Sequence, residues 1–345
     1  MRFIHFIIVL FSALSFSCVS FANPIAKPIA QPIKNHTPQG GIKAWSFAEP
    51  LKIDNLNISG IVKTDEFMAL ASDEGNQIEI FKQDSKGLWQ KHHLVTLSNN
   101  TDEIDLEALA WQKPYLYALG SHSAKRKKVK SSLSQKENIK RLEKIHIEPA
   151  RQKLFRIELN NKAKAIDIQS LSLSNELASH PILKSFINIP SKENGIDIEG
   201  LAVDSKGHLL LGFRGPVLRG NAIPVLKIKL DKKGFKIKST KTLYLHLDGS
   251  GIRGISEMPN GYLVLSGAVG DQPLPYNVYR WNGKNQLLGS NQEPNSLKMI
   301  CELPSFIGKP EGIQFIQEQQ DSIEFIIIKD GLKNGQAHSY HCSNK

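Results

Sequence analysis

Apolar and polar residues alternate over short runs along most of this 345-residue chain. Ile78–Phe81, Leu116–Leu119, Leu209–Phe213, Tyr262–Leu265 and Ile323–Ile328 are brief and either apolar throughout or alternating, which is the pattern of β-strands. Turn chemistry separates them: Asp204 to Gly207, Asp231 to Gly234 and the Pro259-Asn260-Gly261 step carry the residues that tight turns need. The pattern predicts one good helix. Ser134 and Glu137 form a capping box, and Ile139, Leu142 and Ile145 follow on one face.

A short phrase recurs ahead of the strands. It begins at Glu107, Glu199, Arg253 and Glu311, with a degraded first copy at Ser59. The copies stand roughly 50 residues apart once a basic insertion in the second interval is discounted, a period that with several strands per repeat means propeller blades. The predicted fold is therefore all-β: a β-propeller of five four-stranded blades, with 172–195 as the stretch that has room for a sixth. An open sandwich is the competing arrangement. The last copy has room for three strands, so Lys43–Ala48 is expected to complete its sheet and close the ring.

The chain ends refine this picture. Arg2 followed by the apolar run Phe3–Leu14, with Ser20 and Ala22 at the positions a signal peptidase reads, predicts a cleaved signal peptide over 1–22. Acylation of Cys18 is the alternative. Three Pro-Ile steps make 23–40 an extended leader, and 41–345 is read as one propeller domain with an insertion at 124–150. The expected location is periplasmic or secreted. In such a compartment Cys301 and Cys342 are expected to form a disulfide.

Net charge is +11, but residues 124–153 hold eleven Lys or Arg against three Glu, and the rest is near neutral. That insertion reads as a basic flap beside the functional face. No aromatic residue interrupts it, so nucleic acid is not the expected partner. An anionic small molecule, an acidic polymer or anionic lipid headgroups fit the charge. No stretch after the signal is apolar enough to span a membrane, and a monomer is expected.

The residues also carry a resemblance. Asp197 to Ala202, Gly212-Phe213-Arg214-Gly215-Pro216, Gly120-Ser121-His122-Ser123 ahead of the Lys/Arg run, and Gly251-Ile252-Arg253-Gly254, in that arrangement across about residues 55–332, resemble a bacterial family known only as a domain of unknown function, the 3616 family. The resemblance implies a propeller-like β fold and no established activity. The Glu-Gly strand starts also look like those of lactonase- and phytase-type propellers, which bind divalent metal.

Blade geometry says where chemistry should lie. Equivalent strand starts meet at the axis, so the repeat register predicts a ring of Ser59, Glu107, Glu199, Arg253 and Glu311. Two residues earlier on the same side stand Asn57, Asp105, Asp197, Gly251 and Lys309. Carboxylates this close need a counter-charge. Ca²⁺ or Mg²⁺ bound by Glu107, Glu199, Glu311, Asp105 and Asp197 would supply it; pairing with Arg253 and Lys309 together with protonation, or simple exposure to water, are the alternatives.

Second-strand ends add His122, Arg214, Asp73 with Glu74, and Lys329 with Asp330. Arg214, Arg253, Lys309, Asp73 and Lys329 would form a cleft for an anionic ligand. His122 would be a general base or acid, or a structural turn histidine. No Gly-x-Ser-x-Gly, Walker or His-Glu-x-x-His motif occurs, so a nucleotide cofactor is not expected. Two function classes follow: a propeller binding an anionic ligand or partner at this axial site, or a metal-assisted hydrolase of a phosphorylated or other anionic ester or lactone. Whether it is an enzyme stays open.

Overall fold

The computed structural model describes residues 39–43, 45–99, 102–231, 234–290, 292–304 and 308–344. The expected signal peptide and all of the leader before residue 39 lie outside the described residues. Five four-stranded antiparallel sheets form a five-bladed β-propeller. From the axis outward, blade one holds Ile58–Lys63, Met68–Ser72, Gln77–Gln83 and Trp89–Thr96. Blade two holds Leu106–Gln112, Tyr115–Gly120, Leu154–Leu159 and Ala165–Leu171. Blade three holds Asp197–Val203, Leu209–Gly215, Ala222–Leu230 and Ile237–His246. Blade four holds Gly251–Met258, Gly261–Gly267, Asn277–Trp281 and Leu297–Glu302.

Blade five starts with Lys309–Glu318, Ser322–Asp330 and His338–Ser343, and its outermost strand is Gln39–Lys43 from the other end of the chain. That strand pairs antiparallel with the last one, Gln39 opposite His341 and Lys43 opposite His338. Closure from the N-terminal side is as expected, but the strand ends at Lys43 where the sequence reading began it. Beyond it, Phe47 bridges to Trp89 of blade one instead.

Each innermost strand packs against those of both neighbouring blades in a closed cycle of five. Apolar layers fill the junctions. One cluster joins blades one and two through Ala69, Ile78, Leu106 and Leu116; the largest runs through blades two, three and four; two more join four to five and five to one. The central strands of blade three are buried along their whole length, with sheets on both faces, which is why Leu209–Phe213 reads as a continuous apolar run. Ile61, Leu109, Leu201, Ile255 and Ile313, one from each innermost strand, are all buried and close the axis as an aliphatic ring.

The stretch 172–195 is not a sixth blade. It forms a helix over Ser174–Ser179 and two single turns, Leu183–Phe186 and Ser191–Glu193, and inserts Leu173, Leu177 and Leu183 into the large core. The basic insertion is a two-stranded hairpin, Ala124–Arg126 with Ile145–Ile147, enclosing the helix Gln135–Glu143. The capping box forms: Ser134 Oγ accepts from Glu137 N at 3.3 Å, and Glu137 Oε2 accepts from Ser134 N at 2.9 Å. The apolar face of that helix stays largely open, however: Ile139 and Leu142 are exposed, and the helix buries no residue.

Cys301, on the outer strand of blade four, is disulfide-bonded to Cys342, on the last strand of the chain, across a separation of 41 residues. It staples blade four to the blade that closes the ring. Replacing both cysteines with serine should lower the unfolding free energy by about 4 kcal/mol at most, the loop-closure value for a cross-link of this length. Denaturant unfolding of the two proteins measures it, and an unchanged midpoint would show that the staple contributes nothing to ring closure.

Candidate axial carboxylate site

All five innermost strands carry a β-bulge at the same place. Pairing to the second strand skips one residue between Ile58 and Gly60, Leu106 and Ala108, Ile198 and Gly200, Ile252 and Gly254, and Pro310 and Gly312. The residues passed over are Ser59, Glu107, Glu199, Arg253 and Glu311. A bulge takes a residue out of the ladder and re-aims its side chain, so the repeated phrase is a repeated device for pointing one side chain at the axis. The small residue that follows has its own cause. A Cβ on Gly312 would lie 2.6 Å from Ile328 and 3.1 Å from the Ser59 carbonyl of the adjoining blade, so glycine there lets the ring close.

Charge at the axis is heavily buried. Asp197, Glu199, Arg214, Arg253 and Glu311 are all less than 9 % exposed. Arg214 donates to Glu199 Oε1 at 2.5 Å and lies 2.6 Å from Asp197 Oδ2. Its main chain is held close: a Cβ on Gly251 would lie 2.1 Å from the Arg214 carbonyl oxygen. Arg253, from blade four, reaches Glu199 of blade three at 2.9 Å and also ion-pairs with Glu311 of blade five. Two guanidiniums thus serve three acids.

Glu107 is left over. Among the described residues it makes no hydrogen bond or ion pair, yet its carboxylate lies within 4.8 Å of those of Asp197 and Glu199. Asp197 Oδ1 is itself buried with no hydrogen-bond partner, and Glu199 Oε2 has only the ion pair with Arg253. Burial, followed by repulsion from Glu199, Asp105, Asp197 and Glu311, pushes the Glu107 carboxyl well above the usual range. Burial likewise raises Asp197 and Glu199 against the lowering effect of Arg214, and lifts Glu311 to about 7 despite Arg253. The three carboxylates Glu107, Asp197 and Glu199 are a set that could hold a metal ion.

The other expected ligands lie nearby with other partners. Asp105 Oδ2 accepts from Arg151 at 2.5 Å and from Ser121 Oγ, and Glu311 engages Arg253. Of the expected ligand-binding groups, Arg214 and Arg253 are both committed to acids. Lys309 is exposed and pairs with Asp330 at 3.2 Å. Lys329 is buried 3.2 Å from His338 Nδ1, with its pKa lowered by burial. His122 is 4 % exposed; its Nδ1 donates to the Gly120 carbonyl at 2.8 Å and its Nε2 accepts from Leu173 N at 3.4 Å. Burial lowers it to about 4. A neutral imidazole with both nitrogens on backbone holds a loop and has none left for a substrate.

One group escaped the sequence reading. Arg151, counted there with the basic run, is buried and ion-pairs with Glu103, with Asp105 at 2.5 Å and with Glu148 at 2.7 Å. The one local signal is Glu148 three residues ahead of it.

Residues 57–342 match the model of a family described as "Protein of unknown function (DUF3616)". No curated protein matches the sequence. Among solved structures, the PQQ-bound form of aldose sugar dehydrogenase from Streptomyces coelicolor is 12 % identical, with 86 % of this chain and 97 % of that one covered and a TM-score of 0.38. A hypothetical protein from Leishmania major is 7 % identical, with 87 % of each chain covered and a TM-score of 0.39. Likeness at this level adds nothing to what the sheets themselves show.

Asp73, at the end of the second strand of blade one, gives the site a pH signature. Burial, then repulsion from Glu311, Asp105, Asp330 and Glu74, raises its pKa to about 8 from an ordinary 3.8. Between these values the unfolded chain has lost a proton that the folded chain keeps, so stability falls as pH rises from about 4 to about 8 and levels off beyond. Asp73→Asn removes that dependence. Its melting temperature should gain on the native protein steadily from pH 5 to pH 8; parallel curves for the two proteins would show that Asp73 ionises freely in the fold.

Proposed function

The chain belongs to the DUF3616 family of proteins of unknown function, and from the geometry of its axis we propose a propeller that binds a divalent cation at Glu107, Asp197 and Glu199 and, through it, an anionic ligand on the same face. The observation that carries this reading is the charge balance. Four axial carboxylates, Glu107, Asp197, Glu199 and Glu311, face two guanidiniums, Arg214 and Arg253. Two negative charges remain, and a cation of charge two cancels them. All donors are carboxylate oxygens, which suit the hard ions Ca²⁺ and Mg²⁺ over zinc or copper. Three carboxylates do not fill the shell of either ion, so positions remain for water or for an anionic group of a ligand.

Arg214 and Arg253 would act on that ligand indirectly. They hold Asp197 and Glu199 in place by ion pairs, and the cation supplies the attraction. Protons compete for the same role, because burial has already raised every acid in the set. A metal-assisted hydrolase on this site would need a proton carrier, and His122, the carrier expected from the sequence, has both nitrogens engaged with backbone. Binding is the function proposed. The disulfide between Cys301 and Cys342 and the signal-like start of the sequence support a location outside the cytoplasm.

Thermal unfolding with added Ca²⁺ or Mg²⁺ tests the site. A cation at about one hundred times its Kd stabilises the fold by about 2.7 kcal/mol, which raises the melting temperature by several degrees. Glu107→Gln is the diagnostic variant, since Glu107 has no partner among the described residues to lose. It should melt at or above the native protein in chelator and show no response to the cation. Native protein that ignores both ions would end the metal reading and leave protonation as the means of neutralising the axis. A panel of phosphoesters, esters and lactones, run with and without chelator, separates binding from turnover: cation-dependent product would establish an enzyme.

A further inference from the structure

The basic insertion carries five of the twelve large apolar side chains that are exposed among the described residues. Val129, Ile139, Leu142, Ile145 and Ile147 are 38–56 % exposed. Ile139 and Leu142 stand three apart on the helix and so share a face; Ile145 and Ile147 stand two apart on the returning strand and share a side. Basic residues surround them. Lys127, Lys128, Lys130, Lys136, Lys140 and Lys144 make no ion pair among the described residues, and only Glu137 and Glu143 oppose them within the hairpin.

The base of the hairpin, by contrast, is held firmly. Arg126 takes both oxygens of Glu193, at 2.5 and 3.1 Å, and Lys125 pairs with Glu148 at 2.8 Å. The element is fixed at its root, where Ile145 and Ile147 lie opposite Arg126 and Ala124, and beyond the root it offers unneutralised lysines mixed with Val129, Ile139 and Leu142. It emerges just past Gly120, at the strand end whose neighbour Ser121 bonds Asp105, so it rises from the face that carries the axial site.

We propose that residues 127–144 form a membrane-docking element that seats the propeller on an anionic lipid surface, lysines against the headgroups and Val129, Ile139 and Leu142 in the boundary between headgroups and acyl chains. A soluble polyanion would be satisfied by the lysines alone. Aliphatic side chains presented together with them are the pairing that an anionic bilayer interface rewards, since both terms add to its binding energy. Neither cation nor axial carboxylate takes part, so the proposal stands apart from the function proposed above.

The test is flotation of the full chain with vesicles of phosphatidylcholine alone and of phosphatidylcholine with one-third phosphatidylglycerol, in chelator and at low and high salt. The expected result is binding to the anionic vesicles only, weakened by salt. Ile139→Ser with Leu142→Ser keeps every charge and should reduce binding roughly tenfold, and Lys127→Gln with Lys128→Gln and Lys130→Gln should do the same. Melting temperature monitors folding; if the helix pair alters it, Val129→Ser replaces it. Equal binding to both vesicle types, or none to either, overturns the proposal. So does full binding by the aliphatic variant that soluble polyphosphate competes away, which would make the hairpin a polyanion site.

Discussion

Closing five sheets into a ring brings five strand starts into one small volume at the axis, and whatever charge the sequence places there must be neutralised there. Everything distinctive about this propeller follows from that confinement. The bulges turn one side chain per blade inward. The next residue is stripped to glycine in four blades so that the neighbouring strand can approach. Three of the inward side chains are glutamates, and the fourth blade answers with Arg253. Because Arg253 reaches Glu199 on one side and Glu311 on the other, its two ion pairs both cross blade junctions. Removing it would leave Glu311 buried without its cation and Glu199 with Arg214 alone, and a buried charge that loses its partner is costly.

The aliphatic ring beneath makes the site one-sided. Ile61, Leu109, Leu201, Ile255 and Ile313 lie two residues past the bulge in each innermost strand, on the same side of it, and all are buried. They block the axis, so an ion or ligand can reach the carboxylates only from the face where the strands begin. They also lower the local polarity below the acids, which is part of why burial dominates the pKa shifts of Glu107, Asp197 and Glu199.

Much of this was legible before any coordinates. The recurring phrase marks the blades because bulge, inward side chain and small residue occupy adjacent positions, and a repeat copied five times keeps them in register. Pairing of Arg253 with the acids was one of the alternatives the repeat register offered, but the partners of Arg214 were not legible, because its contact with Asp197 and Glu199 depends on how two strands of one blade are bulged. Arg151 was hidden by its setting: in a run of solvated lysines only Glu148, three residues ahead, marks a cation that folds inward. The closing strand was misplaced by a few residues because Gln39-Gly40-Gly41-Ile42-Lys43 has no alternation and a single large apolar residue, Ile42; its place is dictated by the free edge of His338–Ser343 rather than by its own pattern. The insertion helix was correctly capped in the sequence, but local rules could not say that its apolar face would stay exposed.

The pairing of Gln39 with His341 also governs the order of events in time. These residues lie nearly the whole described chain apart, so their contact carries the largest loop-closure cost in the molecule, and folds dominated by such distant pairings form slowly. Until the last strand exists, the first has no edge to join. During that interval blade five has three strands and an open side, the kind of unsatisfied edge that recruits other chains. A cross-link from Cys301 to Cys342 acts at this moment: it fastens the last strand to blade four and holds out a finished edge to an early segment of the chain that has been waiting for it.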